Sequence, residues 1–190
     1  MSKTIKYKIN FYTDWHCGSG LSAGVDLDAL VIKDKKKLPF IPGKTIKGLV
    51  RESVDEMNDF MEAPLQVCSE IVIEALGEEG KSQGCCFFTN ACLDEDLQET
   101  IVTNKLQEYL YRSLASTAID ENGVAEEHSL RKMEACVPCE LQGEILDVPE
   151  DMFSLMEKGL KFIKRLGQNR NRGIGRCQFI IIPNEKGGNE

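Results

Sequence analysis

In this chain of 190 residues, two stretches alternate apolar and polar side chains, two more read as short apolar strands, and the longer segments between them carry apolar residues at helical spacing. The resulting order is strand, helix, strand, strand, helix, strand. It predicts an α+β fold of the ferredoxin-like (RRM-like) type, a βαββαβ core. Two further observations fit. An apolar content of 42% and a charged content of 28% are those of a globular protein. The length is roughly twice what a bare core of this kind needs. The surplus predicts a single domain over residues 1–183 with insertions at about 13–42 and 94–131.

The elements follow in order. Ile5, Tyr7, Ile9 and Phe11 alternate with Lys6, Lys8 and Asn10, the pattern of a half-buried strand. Residues 13–42 lose all periodicity and carry Gly18, Gly20, Gly24, Pro39 and Pro42. Connections this long are usually functional or disordered; within this one, Ala29–Ile32 predicts a short strand. From Thr45, residues Ile46, Leu49, Val50, Val54, Met57 and Met61 recur at helical spacing, and Pro64 ends the run. Leu65–Leu76 repeats the pattern up to Gly77. Residues 85–91 predict a short strand and Glu99–Leu110 a helix, with irregular chain through Asn122-Gly123. Met133–Ile145 alternates as one strand bent at Pro138. Met152, Leu155, Met156, Leu160, Ile163 and Leu166 predict an amphipathic helix halted at Gly167. Cys177–Ile182 predicts the last strand, closed by Pro183 and followed by a flexible tail, 184–190.

With 23 basic and 31 acidic side chains, the net charge of −8 taken whole argues against a phosphate-binding surface. Its distribution reverses that inference. Residues 31–51 hold Lys33, Lys35, Lys36, Lys37, Lys44, Lys47 and Arg51 against Asp34 alone. Residues 151–177 hold seven cations against Asp151 and Glu157. Residues 52–100 hold thirteen acids against Lys81, which reads as a solvated face or a surface for basic neighbours. Both basic clusters flank turns, Pro39–Gly43 and Gly167–Gly175, where backbone N–H groups and cations can meet a phosphate together.

Gly43-Lys44-Thr45 is not a nucleotide P-loop, because Leu38 stands where the first glycine of that motif is required. Gly167-Gln-Asn-Arg170-Asn-Arg172-Gly173-Ile-Gly175-Arg176 is either a helix C-cap followed by a turn or a backbone pocket for phosphate with three arginines around it. Asp26, Asp28 and Asp34 share the first insertion. Loop carboxylates are mostly solvated, but one could hold Mg²⁺ or position a reacting 2′-hydroxyl. His16 and His128 are the only histidines and the only imidazoles available for a metal-independent RNA cleavage. The eight cysteines include one CxxC, Cys136-Val-Pro-Cys139, with no second pair at comparable spacing. They read as reduced thiols, with structural zinc the lesser reading. The N-terminus carries no signal-peptide pattern and no stretch has the length of a membrane span, so a cytoplasmic location with no membrane partner is expected.

Several stretches together resemble the RAMP superfamily of CRISPR-associated proteins. Val31-Ile-Lys-Asp34 followed by Leu38-Pro-Phe-Ile-Pro-Gly-Lys-Thr-Ile-Lys-Gly-Leu-Val-Arg51 resembles the family's early turn and helix, with Lys44-Thr45 in place of its Ser-Ser. His16–Gly20 resembles its upstream glycine turn. Ser116–Arg131 followed by Glu134 resembles the central hairpin of the backbone subunits, and Gly167–Arg176 the C-terminal glycine-rich loop.

The closest likeness is to the repeated backbone subunit of type III CRISPR effector complexes. The resemblance implies a guide-RNA-binding protein with a thumb hairpin at about residues 112–131, which cleaves target RNA through a loop aspartate and Mg²⁺ or another divalent cation. Asp28 matches that aspartate best, as catalytic residue and metal ligand, with Asp26 as the fallback. Lys47 and Arg51 fall on guide phosphates and Arg170 and Arg172 near the RNA; Lys44, Thr45, Arg131 and Arg176 complete the expected RNA-binding set. The implied partners are guide RNA, target RNA and other effector subunits, copies of this chain included. Two other readings stay open: a non-catalytic RNA-holding subunit, and a metal-independent guide-processing endonuclease using His16 or His128.

Overall fold

A computed structural model describes residues 2–21, 27–60, 69–78 and 80–183. Along the chain these form β1 (Lys3–Phe11), β2 (Phe40–Ile41), α1 (Gly43–Asp59), α2 (Ser69–Leu76), β3 (Phe87–Phe88), β4 (Ala91–Cys92), α3 (Glu95–Thr103), β5 (Tyr111–Ser116), β6 (Arg131–Cys136), β7 (Glu140–Val148), α4 (Glu150–Phe162) and β8 (Cys177–Ile182). In the main sheet β1 lies between β7 and β8, antiparallel to both, and the short strands β3, β4 and β2 continue it beyond β7. With β3 and β4 counted as one interrupted strand, the order is the 4-1-3-2 of the ferredoxin-like fold. β5 and β6 form a separate two-stranded sheet, a hairpin where the resemblance implied one at about 112–131.

The pattern of β1 decides which face is buried. Ile5, Tyr7, Ile9 and Phe11 point into the core, where Ile46, Val50 and Val54 of α1 and Met152, Met156 and Leu160 of α4 meet them. Each such side chain taken from water contributes about 1.5–3 kcal/mol. Gly143 is what admits Tyr7: the two are cross-strand partners, and a Cβ at position 143 would lie 2.6 Å from the Tyr7 hydroxyl. That hydroxyl is buried without a hydrogen-bond partner. Tyr7→Phe is therefore expected to raise stability by about 1 kcal/mol, because it removes an unsatisfied polar group and leaves the packing intact. A urea midpoint lower than wild type would contradict this.

The opposite face of the sheet is open. Lys6 and Lys8 of β1 pair there with Glu144 and Glu140 of β7 at 3.4 and 2.7 Å. The outward positions of β1, β7 and β8 carry no aromatic ring. The base-stacking platform of RNA-recognition modules is thus missing from these strands, and an RNA site has to be sought on the loops.

The structure departs from the sequence reading in several places. The single strand expected over Met133–Ile145 is two strands in two sheets: Pro138 offers no N–H, and around it the chain leaves the hairpin for the main sheet. The helix expected over Glu99–Leu110 starts earlier, with Asp94 accepting from the Asp96 amide at its N-terminus, and gives way after Thr103 to a 3₁₀ turn at Gln107–Leu110. The strand at 85–91 is broken at Thr89-Asn90, where the Asn90 side chain accepts from the Gly43 amide at the start of α1. Ala29–Ile32 makes isolated bridges rather than a strand, and Phe40–Ile41 pairs with β4. α4 ends at Phe162; Ile163 and Leu166 stay buried because their extended segment runs beside the start of β8, with Lys164 accepting from the Cys177 amide. The chain end of the first helical run, the first half of Leu65–Leu76, Asp26 and the tail 184–190 lie outside the described residues.

Candidate nucleic-acid interface

Three segments meet on the hairpin strand β6. The first is the loop bearing Asp28. Its amide donates to the Lys132 carbonyl at 2.8 Å, and its Oδ2 accepts from the Lys132 amide at 2.7 Å. Ala29 bridges Met133 in parallel and accepts from the Glu134 amide. Asp28 is exposed, so an anchored carboxylate faces solvent at the root of the hairpin.

The second segment is the turn at Trp15–Gly20. Trp15 and Cys136 exchange both backbone hydrogen bonds, and the Trp15 ring stacks on Phe11 with centroids 4.6 Å apart. His16 is fully buried. Its Nδ1 lies 2.6 Å from the Glu134 carbonyl, which can only accept, so Nδ1 carries the hydrogen. Its Nε2 is buried without a partner, and Gly18 packs close against it. A ring so enclosed is out of reach of an RNA hydroxyl. His128 is exposed in the tip of the hairpin.

The third segment is the glycine-rich loop. Gln168 donates to the His16 carbonyl, Gly175 to the Asp14 carbonyl and the Asn169 side chain to the Met133 sulfur. The cleft where the loop approaches the hairpin is lined by Arg172 from one side and Arg131, Thr117 and His128 from the other. Arg170 reaches Glu52 of α1 at 3.4 Å. Arg176 lines a separate basic cleft with Tyr12, Lys164 and Arg165.

The residues at the start of α1 divide. Thr45 stands against Cys17: burial pushes that thiol up, while the Thr45 hydroxyl and the charge of Lys44 work against the shift. Lys44, exposed, and Thr45 therefore border the Trp15–Gly20 turn. Lys47 and Arg51 turn away. Lys47 donates to the Gln83 carbonyl, and Arg51 donates to the Leu76 carbonyl and, at 2.7 Å, to the Gly77 carbonyl, closing the C-terminus of α2. In this structure Arg51 works as a helix cap.

Glu134 enters the sequence reading only as part of the hairpin motif, and its burial is not anticipated there. Alternation through Ala135 and Val137 would turn it to solvent. Instead Glu134, Ala135 and Cys136 are all buried, because the Asp28 loop covers the strand's second face. In the CxxC pair, the Cys136 thiol hydrogen-bonds to Cys139, which raises Cys136 and lowers Cys139. Among the described residues no three Cys, His, Asp or Glu side chains converge, so the pair has no further ligands at hand for a four-coordinate zinc. Asp28 alone fits a different ion: Mg²⁺ keeps most of its waters and takes one or two carboxylates together with substrate phosphate. Among the described residues no helix is long and apolar enough to cross a membrane.

Fold and site together define a ferredoxin-like protein with a protruding hairpin and basic loops gathered at its root. The RAMP superfamily model matches residues 8–178, and the chain belongs to that superfamily. No curated protein matches the sequence. Among solved structures, the chain resembles a chain of the Type III-B Cmr-beta complex bound to cognate target RNA, with a TM-score of 0.73 at 12% identity over 95% of this chain and 97% of that one. A chain of the same complex in its apo state gives a TM-score of 0.72 at 13% identity over 94% and 97%.

Proposed function

We propose that this protein is a guide-RNA-binding backbone subunit of a type III CRISPR effector and that it cuts complementary target RNA at Asp28. The observation that carries the reading is the anchored, exposed Asp28 carboxylate at the root of a hairpin, beside Arg131 and Lys132, with Arg172 lining the neighbouring cleft. The similar chain in a Cmr-beta complex with target RNA supports it. Held by Asp28, a divalent cation would supply positive charge to the scissile phosphate. Asp28 holds the target's 2′-hydroxyl in line with its own phosphate. O2′ loses its proton to solvent as it bonds to phosphorus, the bond from phosphorus to the 5′-oxygen of the next nucleotide breaks, that oxygen takes a proton from solvent, and a 2′,3′-cyclic phosphate remains. Arg131 and Arg172 hold the flanking phosphates, and Lys44 at the start of α1 holds the guide.

The burial of His16 weighs against a guide-processing endonuclease that uses it. A non-catalytic subunit is the second reading, favoured by the absence, among the described residues, of any group of three Cys, His, Asp or Glu side chains that could hold a metal ion.

RNA binding is tested through its salt dependence. Lys44→Ala combined with Arg172→Ala is expected to weaken guide binding for all sequences alike and to reduce the slope of log K against log salt by about 2. Both residues are exposed, so folding should be unaffected. An unchanged slope would sink the phosphate role. Lys47 and Arg51 make poor probes, because their loss also frees the carbonyls they hold.

A further inference from the structure

A buried acid lies beneath the Asp28 loop with no part in the chemistry above. Glu134 is only 8% exposed, and each of its carboxylate oxygens is engaged by that loop. Oε2 accepts from the Val31 amide at 3.0 Å, and Oε1 from Lys33 Nζ at 2.7 Å. The Lys33 ammonium lies 3.9 Å from the centre of the Tyr111 ring, and the Tyr111 hydroxyl donates to the Lys37 carbonyl at 2.8 Å. A carboxylate taken out of water at this depth is costly unless it is paired and hydrogen-bonded. Here the pairing is spent entirely on one loop, which has almost no regular structure of its own.

We propose that Glu134 is a positioning residue for Asp28, an inference that rests on the cleavage reading above. Among the described residues, Asp28 is tied to Lys132, and the Ala29 carbonyl accepts from the Glu134 amide. Backbone contacts of this kind can slip by one residue along a strand. The Glu134 carboxylate opposes the slip because one of its oxygens holds the Val31 amide and the other the Lys33 ammonium, alongside the bonds of Leu30 and Ile32 to Ser19 and Cys17. With Val31 fixed three residues on, the span to Asp28 is too short for its carboxylate to wander. Tyr111 on β5 closes the arrangement from the other strand of the hairpin, so the hairpin root and the Asp28 loop move as one piece.

The test uses the full chain, alone and in the assembled complex, with Glu134→Gln and Glu134→Ala. Glutamine keeps an acceptor for the Val31 amide and loses the charge facing Lys33; alanine loses both. Hydrogen exchange over residues 28–33 is expected to rise about 10-fold in the alanine variant and less in the glutamine variant, with β1 and α4 unchanged. Single-turnover target cleavage should fall in the same order, by about 100-fold for alanine, while guide affinity stays within about two-fold. Val54→Ala, which opens the α1–α4 interface, should lower the melting temperature without slowing cleavage at a permissive temperature. Lys33→Met supplies a second probe of the same contact if Glu134→Ala fails to fold, and should cost exchange protection and cleavage alike. Wild-type exchange, or wild-type cleavage with raised exchange, in the Glu134 variants overturns the proposal. If the wild-type complex itself does not cut, the cleavage reading fails, and the exchange measurement alone decides whether Glu134 holds the loop.

Discussion

Asp28→Ala is expected to reduce target cleavage by the assembled complex at least about 100-fold while guide-RNA affinity stays within about two-fold. Two features of the site make the effect selective. The carboxylate is exposed, so its removal opens no cavity. Its one held oxygen accepts from the Lys132 amide, a hydrogen bond worth about 1 kcal/mol, and that amide lies at an exposed edge where water can replace the lost acceptor. The loop keeps the Asp28 and Glu134 amide bonds and the contacts of Val31 and Lys33. Cleavage by the wild-type complex should stop in EDTA and return on addition of Mg²⁺, and the products should carry 2′,3′-cyclic phosphates. Cutting undiminished in Asp28→Ala but lost in Asp26→Ala would move the role to Asp26. Cutting that persists in EDTA would remove the metal from the mechanism altogether and leave an exposed imidazole, that of His128, to account for it.

How much of this was legible in the sequence depended on whether a residue's environment is set by its own neighbours along the chain. The alternation of β1 and the helical spacing in α1 and α4 report burial on one continuous face, and the structure buries Ile5, Tyr7, Ile9, Ile46, Val50, Met152 and Leu160 as that pattern requires. Periodicity misleads where a segment serves two partners. Leu166 belongs to the core but not to α4, because the extended chain beside β8 buries the same side that another helical turn would have buried. The last three residues of β6 are covered on both faces, once by the core and once by the Asp28 loop, so Glu134 broke an alternation that treats strands as having one wet side. The convergence of Asp28 and His16 on β6 rests on pairings more than a hundred residues apart in sequence, and that of the glycine-rich loop on one 36 residues apart, which no local pattern encodes; only the resemblance of the motifs to a known family brought them together. Arg51 shows the reverse case. Its motif pointed to phosphate, yet the nearest unsatisfied acceptors are the carbonyls closing α2 within the same molecule.

The glycine-rich loop carries the other large effect. Gly167→Ala and Gly175→Ala are each expected to cost roughly 3 kcal/mol or more, whereas Gly173→Ala should cost about 1–2 kcal/mol. All three glycines have positive φ, at 98°, 71° and 85° for positions 167, 175 and 173, so a side chain at any of them bears the left-handed strain. The difference lies in what a Cβ would meet. At position 175 it would lie 1.9 Å from the Leu166 carbonyl oxygen and at 167 it would lie 2.2 Å from that of His16, both backbone atoms that cannot rotate aside; at 173 it meets open space. Relieving either clash breaks a bond that holds the loop, Leu166 amide to Gly175 carbonyl in one case and Gln168 amide to His16 carbonyl in the other. Because His16 also bonds the Glu134 carbonyl, the disturbance at 167 should reach the root of the hairpin, and that at 175 should spread to Arg176 and the start of β8. Urea midpoints of the three variants check the ranking. Equal losses at all three positions would mean that strain alone governs the loop and that its contacts with His16 and Leu166 contribute little; a loss confined to 167 and 175, accompanied by weaker RNA binding, would tie the folding of this loop to the phosphate site of Arg172.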